Sequence, residues 1–164
     1  QVFMGSKGQS CLGCVTIKYA ISRGKFSSGQ RLKCWTGIVD NISSRKLPMF
    51  DSAPALINLV LQYAPSYNIN TSPLRGDTEN SEKHKRAWIQ KNLPVQPKEL
   101  VITGRKYKWA TQDDGTPNIL IDDRTKIIQQ WQQAGGYGIK FQADEDTLNV
   151  VKQGLDSFYF NKEN

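Results

Sequence analysis

At 164 residues, with 38% hydrophobic and 10% aromatic side chains, the chain has the length of one domain and the composition of a globular protein rather than a disordered one. No apolar run approaches the ~18 residues of a membrane span and no signal-peptide pattern opens the sequence, which argues against a membrane protein or a secretory precursor. The formal net charge of +7 is polarised: residues 1–50 carry eight basic side chains against one acid, Asp40, and the remaining 114 residues carry 14 of each sign.

That split predicts two tasks in one chain. A basic amino-terminal extension, residues 1–31, precedes a domain, residues 32–164, that is charge-balanced beyond residue 50. Net charge bears on association and not on fold, so the extension is either a polyanion-binding segment or simply a solvated one. The three cysteines, Cys11, Cys14 and Cys34, all lie within the first 50 residues. An odd number without a secretory signal predicts reduced thiols and a cytoplasmic or intravirion setting. Cys11-x-x-Cys14 with Cys34 offers three thiolates where structural zinc takes four ligands, and the only histidine, His84, is distant in sequence. Unpaired thiols are therefore expected rather than bound Zn²⁺.

In chain order, Val15, Ile17, Tyr19 and Ile21 alternate with a period of two and predict a strand, making the extension partly β. Gly24 to Gly29 reads as a turn, and Leu32 to Val39 as a second strand ending at Asp40. Asp51 or Ser52 can cap a helix with Leu56, Ile57, Val60 and Leu61 on one face, ended by Pro65. Tyr67 to Asn70 is a short strand. Asp77 or Thr78 caps a second helix through Trp88 and Ile89 to Pro94, with Glu82 and Arg86 spaced to pair. Strands follow at Leu100 to Thr103 and Asn118 to Ile121. A helix from Thr125 to Ala134 closes on Gly135, where glycine suits a left-handed cap. A strand from Gly138 to Phe141 and a helix from Asp144 to Phe158 complete the chain. Alternating strands and helices predict an α/β fold: a Rossmann-like parallel sheet with helices on both faces and function at the carboxyl ends of the strands.

Three segments fall at those ends: Asn70-Thr71-Ser72-Pro73-Leu74, Leu100-Val101-Ile102-Thr103-Gly104-Arg105-Lys106, and Ile119-Leu120-Ile121-Asp122-Asp123. Together with Trp131 and Ala134-Gly135-Gly136, they resemble the second, third and fourth motifs of haloacid-dehalogenase (HAD) superfamily phosphatases, and most closely the 5′(3′)-deoxyribonucleotidase branch. The resemblance covers about two-thirds of the chain. It implies a HAD-like fold in which an aspartate takes a phosphoryl group. Thr71 would donate its hydroxyl to a phosphoryl oxygen, Lys106 would neutralise charge, and Asp122 with Asp123 would hold Mg²⁺. Each has a purely structural alternative: a turn cap at Thr71, a solvated cation at Lys106, a helix cap at the aspartate pair.

The family's first motif, an apolar strand followed by Asp-x-Asp-Gly-Thr, has no match. The nearest segment is Gly37-Ile38-Val39-Asp40-Asn41-Ile42, which makes Asp40 the candidate nucleophile and puts Ile42 in the place of the general acid and base. Losing that proton-transfer group costs about 10²- to 10⁴-fold in rate. Gln112-Asp113-Asp114-Gly115-Thr116 imitates the motif, but no apolar strand leads into it, and Asp-Gly before Pro117 reads as a surface turn.

The expected function is that of a phosphatase-like pseudoenzyme whose basic segment binds nucleic acid or a larger assembly, such as a virion component. Lys18, Arg23, Lys25, Arg31 and Lys33, interleaved with Tyr19, Phe26 and Trp35, would make the contacts. The alternative is a Mg²⁺-dependent phosphohydrolase acting on a nucleotide or another small phosphate ester through an aspartyl phosphate. Neither reading involves a membrane.

Overall fold

A computed structural model of the chain describes the backbone of residues 15–17, together with residues 49–73, 76 and 78–160. Among the described residues, five parallel strands form one sheet: β1 (Val15–Ile17), β2 (Tyr67–Thr71), β3 (Leu100–Ile102), β4 (Ile119–Asp122) and β5 (Tyr137–Lys140). Their spatial order is β3-β2-β1-β4-β5. The chain is therefore α/β with a parallel sheet. The four strands expected downstream of residue 51 are all present and parallel, but they are not consecutive neighbours. Between β2 and β4 runs β1, drawn from within the stretch assigned to the extension, with Ile17 level with both Ile69 and Ile121. The triplet Val-Thr-Ile suits that place, since β-branched residues favour strands and the middle strand of a parallel sheet is covered on both faces. The strand expected at Leu32 to Val39 lies outside the described residues.

Strand alternation sorts the core into two layers. On one face Tyr67, Ile69, Ile119, Ile121 and Ile139 pack against helices α1 (Ala53–Tyr63), α2 (Thr78–Asn92) and α4 (Leu148–Phe160), through residues such as Leu56, Val60, Trp88, Ile89, Val151 and Leu155. On the other, Leu120 packs against Ile128 and Trp131 of α3 (Thr125–Gln133) and against Ala110. Fully burying each large aliphatic side chain contributes about 1.5–3 kcal/mol, which gives these short strands their stability.

Helix α1 starts differently from expectation. Ser52 stands at the N-cap but its hydroxyl makes no capping bond; Pro54, with its preset φ, opens the first turn instead. Helix α4 begins at Leu148 rather than Asp144 because residues 142–146 close a turn, in which the Gln142 N–H donates to the Asp146 carboxylate at 2.7 Å and the Asp146 N–H to the Gln142 carbonyl at 2.8 Å. The cap of α3 is as expected. Gly135 has φ 91°, its N–H donates to the Gln132 carbonyl at 3.0 Å, and the Gly136 N–H reaches the Trp131 carbonyl at 3.0 Å, a Schellman pair. A side chain at Gly136 is barred as well, since a Cβ there would lie 2.2 Å from the Trp131 indole nitrogen.

Tyr67 gives the fold an alkaline limit. Its ring is 1% exposed, and its hydroxyl donates to the Val95 carbonyl at 2.5 Å. Burial pushes the phenol up from 10.0 to about 12. Below pH 10 the phenol is neutral whether the chain is folded or not; above it the unfolded chain loses the proton first. Stability is therefore full below pH 10 and falls by about 2–3 kcal/mol as pH rises through 12. Urea unfolding at pH 9 and above should show that fall in the wild type and a flatter profile in Tyr67→Phe; parallel profiles would mean that the phenol ionises freely.

Candidate functional site

The carboxyl ends of β2 and β4 present the groups singled out by sequence. Asp122, the last residue of β4, is fully buried, and one carboxylate oxygen accepts from the Lys106 ammonium at 2.9 Å. Its other oxygen accepts from the Arg124 N–H at 2.9 Å. Lys106 begins a 3₁₀ turn (Lys106–Trp109) on the crossover from β3 to β4 and is 2% exposed. It is thus no solvated surface cation. Asp122 does not cap the helix: its bond to the Arg124 N–H tightens the turn before α3, whose N-cap is Arg124 with no side-chain capping bond. A water-excluded ion pair adds little net stability, because desolvating both charges offsets their attraction. Asp123, the next residue, is exposed.

Thr71 ends β2 and is 5% exposed. Its carbonyl accepts from the Thr103 N–H at 2.8 Å, which ties the two strand ends together. Its hydroxyl oxygen accepts from the Lys85 ammonium of α2 at 2.9 Å, and the same ammonium donates to the Ser72 carbonyl at 2.5 Å. Lys85 was missed in the sequence. The signal was there: it stands one turn before Trp88 and Ile89 and one turn after Ser81, all three of them buried, so it lies on the inward stripe of α2. Asn70 opens the segment that ends β2, but the sequence alone gives it no role of its own. It is 2% exposed, and its side-chain oxygen accepts no hydrogen bond from the described residues. Alternation puts it on the Leu120 side of the sheet.

The structure thus joins Lys106 to Asp122 and sets Thr71 with Lys85 at the carboxyl end of β2, where strand alternation puts Thr71 on the face of the sheet opposite to Asp122. Among the described residues, no three His, Cys, Asp or Glu side chains cluster to hold a metal ion. Asp40, the basic residues Lys18, Arg23, Lys25, Arg31 and Lys33, and the cysteines Cys11, Cys14 and Cys34 lie outside the described residues. Leu74 and Asp77 do as well. The Gln112–Thr116 imitation is a surface turn, as expected. Gly115 has φ 84°, and the Thr116 N–H donates to the Asp114 carboxylate at 2.8 Å, a bond that also holds the Asp114 carboxyl below its ordinary value.

No protein-family model matches the chain, and no curated protein matches it. Among the described residues, no helix is long and apolar enough to cross a membrane.

Proposed function

We propose that the chain is a HAD-like domain with an impaired phosphoryl-transfer site, and that its basic amino-terminal region binds nucleic acid or another polyanionic assembly. The observation that carries this reading is the sequence following the middle strand. In the resembled family the nucleophilic aspartate directly follows an apolar strand, whereas β1 is followed in sequence by Lys18-Tyr19-Ala20-Ile21-Ser22, and the first acid in the whole chain is Asp40. The neighbouring groups persist. Thr71 and Asp122 end β2 and β4, and Lys106, on the turn after β3, holds Asp122; the resembled family keeps its phosphoryl-binding groups at comparable positions in sequence, and this supports descent from such a site.

Mg²⁺ would be held by Asp122 and Asp123, and it would supply charge neutralisation for a phosphate. With one Asp122 oxygen already taken by an ammonium, and two carboxylates in all, binding is weak on this reading. A second reading, Mg²⁺-dependent hydrolysis of a small phosphate ester with Asp40 as nucleophile, is favoured by the retained Lys106–Asp122 pair, which adds little to stability.

Turnover separates the two. The full chain with Mg²⁺ and a nucleoside monophosphate should release phosphate at the rate of a buffer control, while calorimetry should show weak Mg²⁺ heat that disappears in Asp122→Asn. Brisk release that vanishes in Asp40→Asn would establish the hydrolase instead.

A further inference from the structure

We propose that Lys85 is a positioning residue that sets the polarity of the Thr71 hydroxyl, so that Thr71 acts as a hydrogen-bond donor to a tetrahedral oxyanion at the carboxyl edge of the sheet. The inference rests on the reading of this edge as a former phosphoryl site and adds to it a residue that lies outside the three resembling motifs.

A threonine hydroxyl has one hydrogen to donate and lone pairs to accept with, so in isolation it can face an anion or a cation equally well. At Thr71 the choice is already made. The Lys85 ammonium donates to its oxygen at 2.9 Å. An ammonium has three donors and no lone pair, so it cannot receive the hydroxyl hydrogen, which therefore points away from Lys85. A hydroxyl that accepts from a cation is also polarised into a stronger donor. The second bond of the ammonium, to the Ser72 carbonyl at 2.5 Å, stops it from swinging off and holds the chain just after β2. The Thr103 N–H holds the Thr71 carbonyl at 2.8 Å, so the backbone under the hydroxyl is tied from β3 as well. Burial strengthens the effect. Thr71 is 5% exposed, and water competes poorly for a hydroxyl so enclosed. The result is an oriented donor beside a positive charge that does not need to touch the ligand.

The test is a double-mutant cycle on the full chain, with inorganic phosphate as probe and calorimetry as readout. Thr71→Val removes the hydroxyl and keeps the shape, and Lys85→Met keeps the stem and removes the ammonium. Each should weaken phosphate binding by about tenfold, as expected for one charge-assisted hydrogen bond. If Lys85 acts through Thr71, adding Lys85→Met to Thr71→Val costs little more, and Lys85→Arg recovers most of the affinity. Unchanged binding in Lys85→Met, with a loss in Thr71→Val, overturns the role of Lys85 and leaves the phosphoryl-site reading standing. A further tenfold loss in the double variant also overturns it, because Lys85 would then contact phosphate directly. Phosphate binding that is equal in the wild type and Thr71→Val removes the oxyanion site, and the inference with it.

Discussion

Asp122→Ala is expected to lower the unfolding free energy by about 3–5 kcal/mol, among the largest effects a single substitution in this chain should have. The reason lies in what is left behind. The side chains of Lys106 and Asp122 are 1% and 0% exposed, 2.9 Å apart, and removing one strands the other charge away from water. Lys106→Met should cost a similar amount by exposing the opposite deficit. The double variant Lys106→Met with Asp122→Leu removes both charges at once and should recover most of the loss, since a buried pair replaced by apolar side chains of similar volume is often neutral or stabilising. Urea midpoints of the four proteins decide the matter. A loss below about 1 kcal/mol in Asp122→Ala would mean that the pair is hydrated and that its burial carries no penalty. A double variant as stable as the wild type would show that stability alone does not account for the pair, which is what a retained phosphate-handling site requires.

Much of the fold could be read directly because its segments each carry one strong signal. Ile119-Leu120-Ile121 is apolar without a break and ends in a charge, as a strand covered on both faces should; Pro65, Pro94 and Gly135 mark the ends of their helices. The middle strand is legible as a strand but not as part of the sheet, because the basic stretch around it reads as an extension. Val15, Ile17, Tyr19 and Ile21 alternate with Thr16, Lys18 and Ala20 inside a basic stretch, and that pattern describes a half-exposed strand equally well. Only pairing with β2 and β4 distinguishes the two, and pairing is not local. At the site, Thr71, Lys106 and Asp122 stood out because each ends or follows an apolar run. Lys85 did not, because a lysine on a mostly polar helix is usually solvated; it takes the bonds to Thr71 and Ser72 to give it a role. The burial of Lys106 was hidden for the same reason, since a charge can be buried only when its partner is in place, and Asp122 lies 16 residues further on.

Binding of the full chain to a single- or double-stranded polynucleotide is expected to weaken on the order of 100- to 500-fold when salt rises from about 50 to about 200 mM. The figure follows from counterion release. If Lys18, Arg23, Lys25, Arg31 and Lys33 each meet a phosphate, every contact contributes roughly 0.7 to 0.9 to the slope of log affinity against log salt, and five together give a slope of roughly −3.5 to −4.5. Residues 51–164 add no net field, with 14 basic and 14 acidic side chains, so the slope should trace to the first 50 residues. Replacing Lys18, Arg23, Lys25, Arg31 or Lys33 by glutamine, one at a time, should flatten the slope by about one contact each. Asp40→Asn and Asp122→Asn should leave it unchanged, because neither removes a cation. Should the glutamine variants keep the full slope, the contacts would belong to basic residues elsewhere and the role proposed for this region would fall. Affinity independent of salt would go further, because a chain that binds without releasing counterions is not held by its charge.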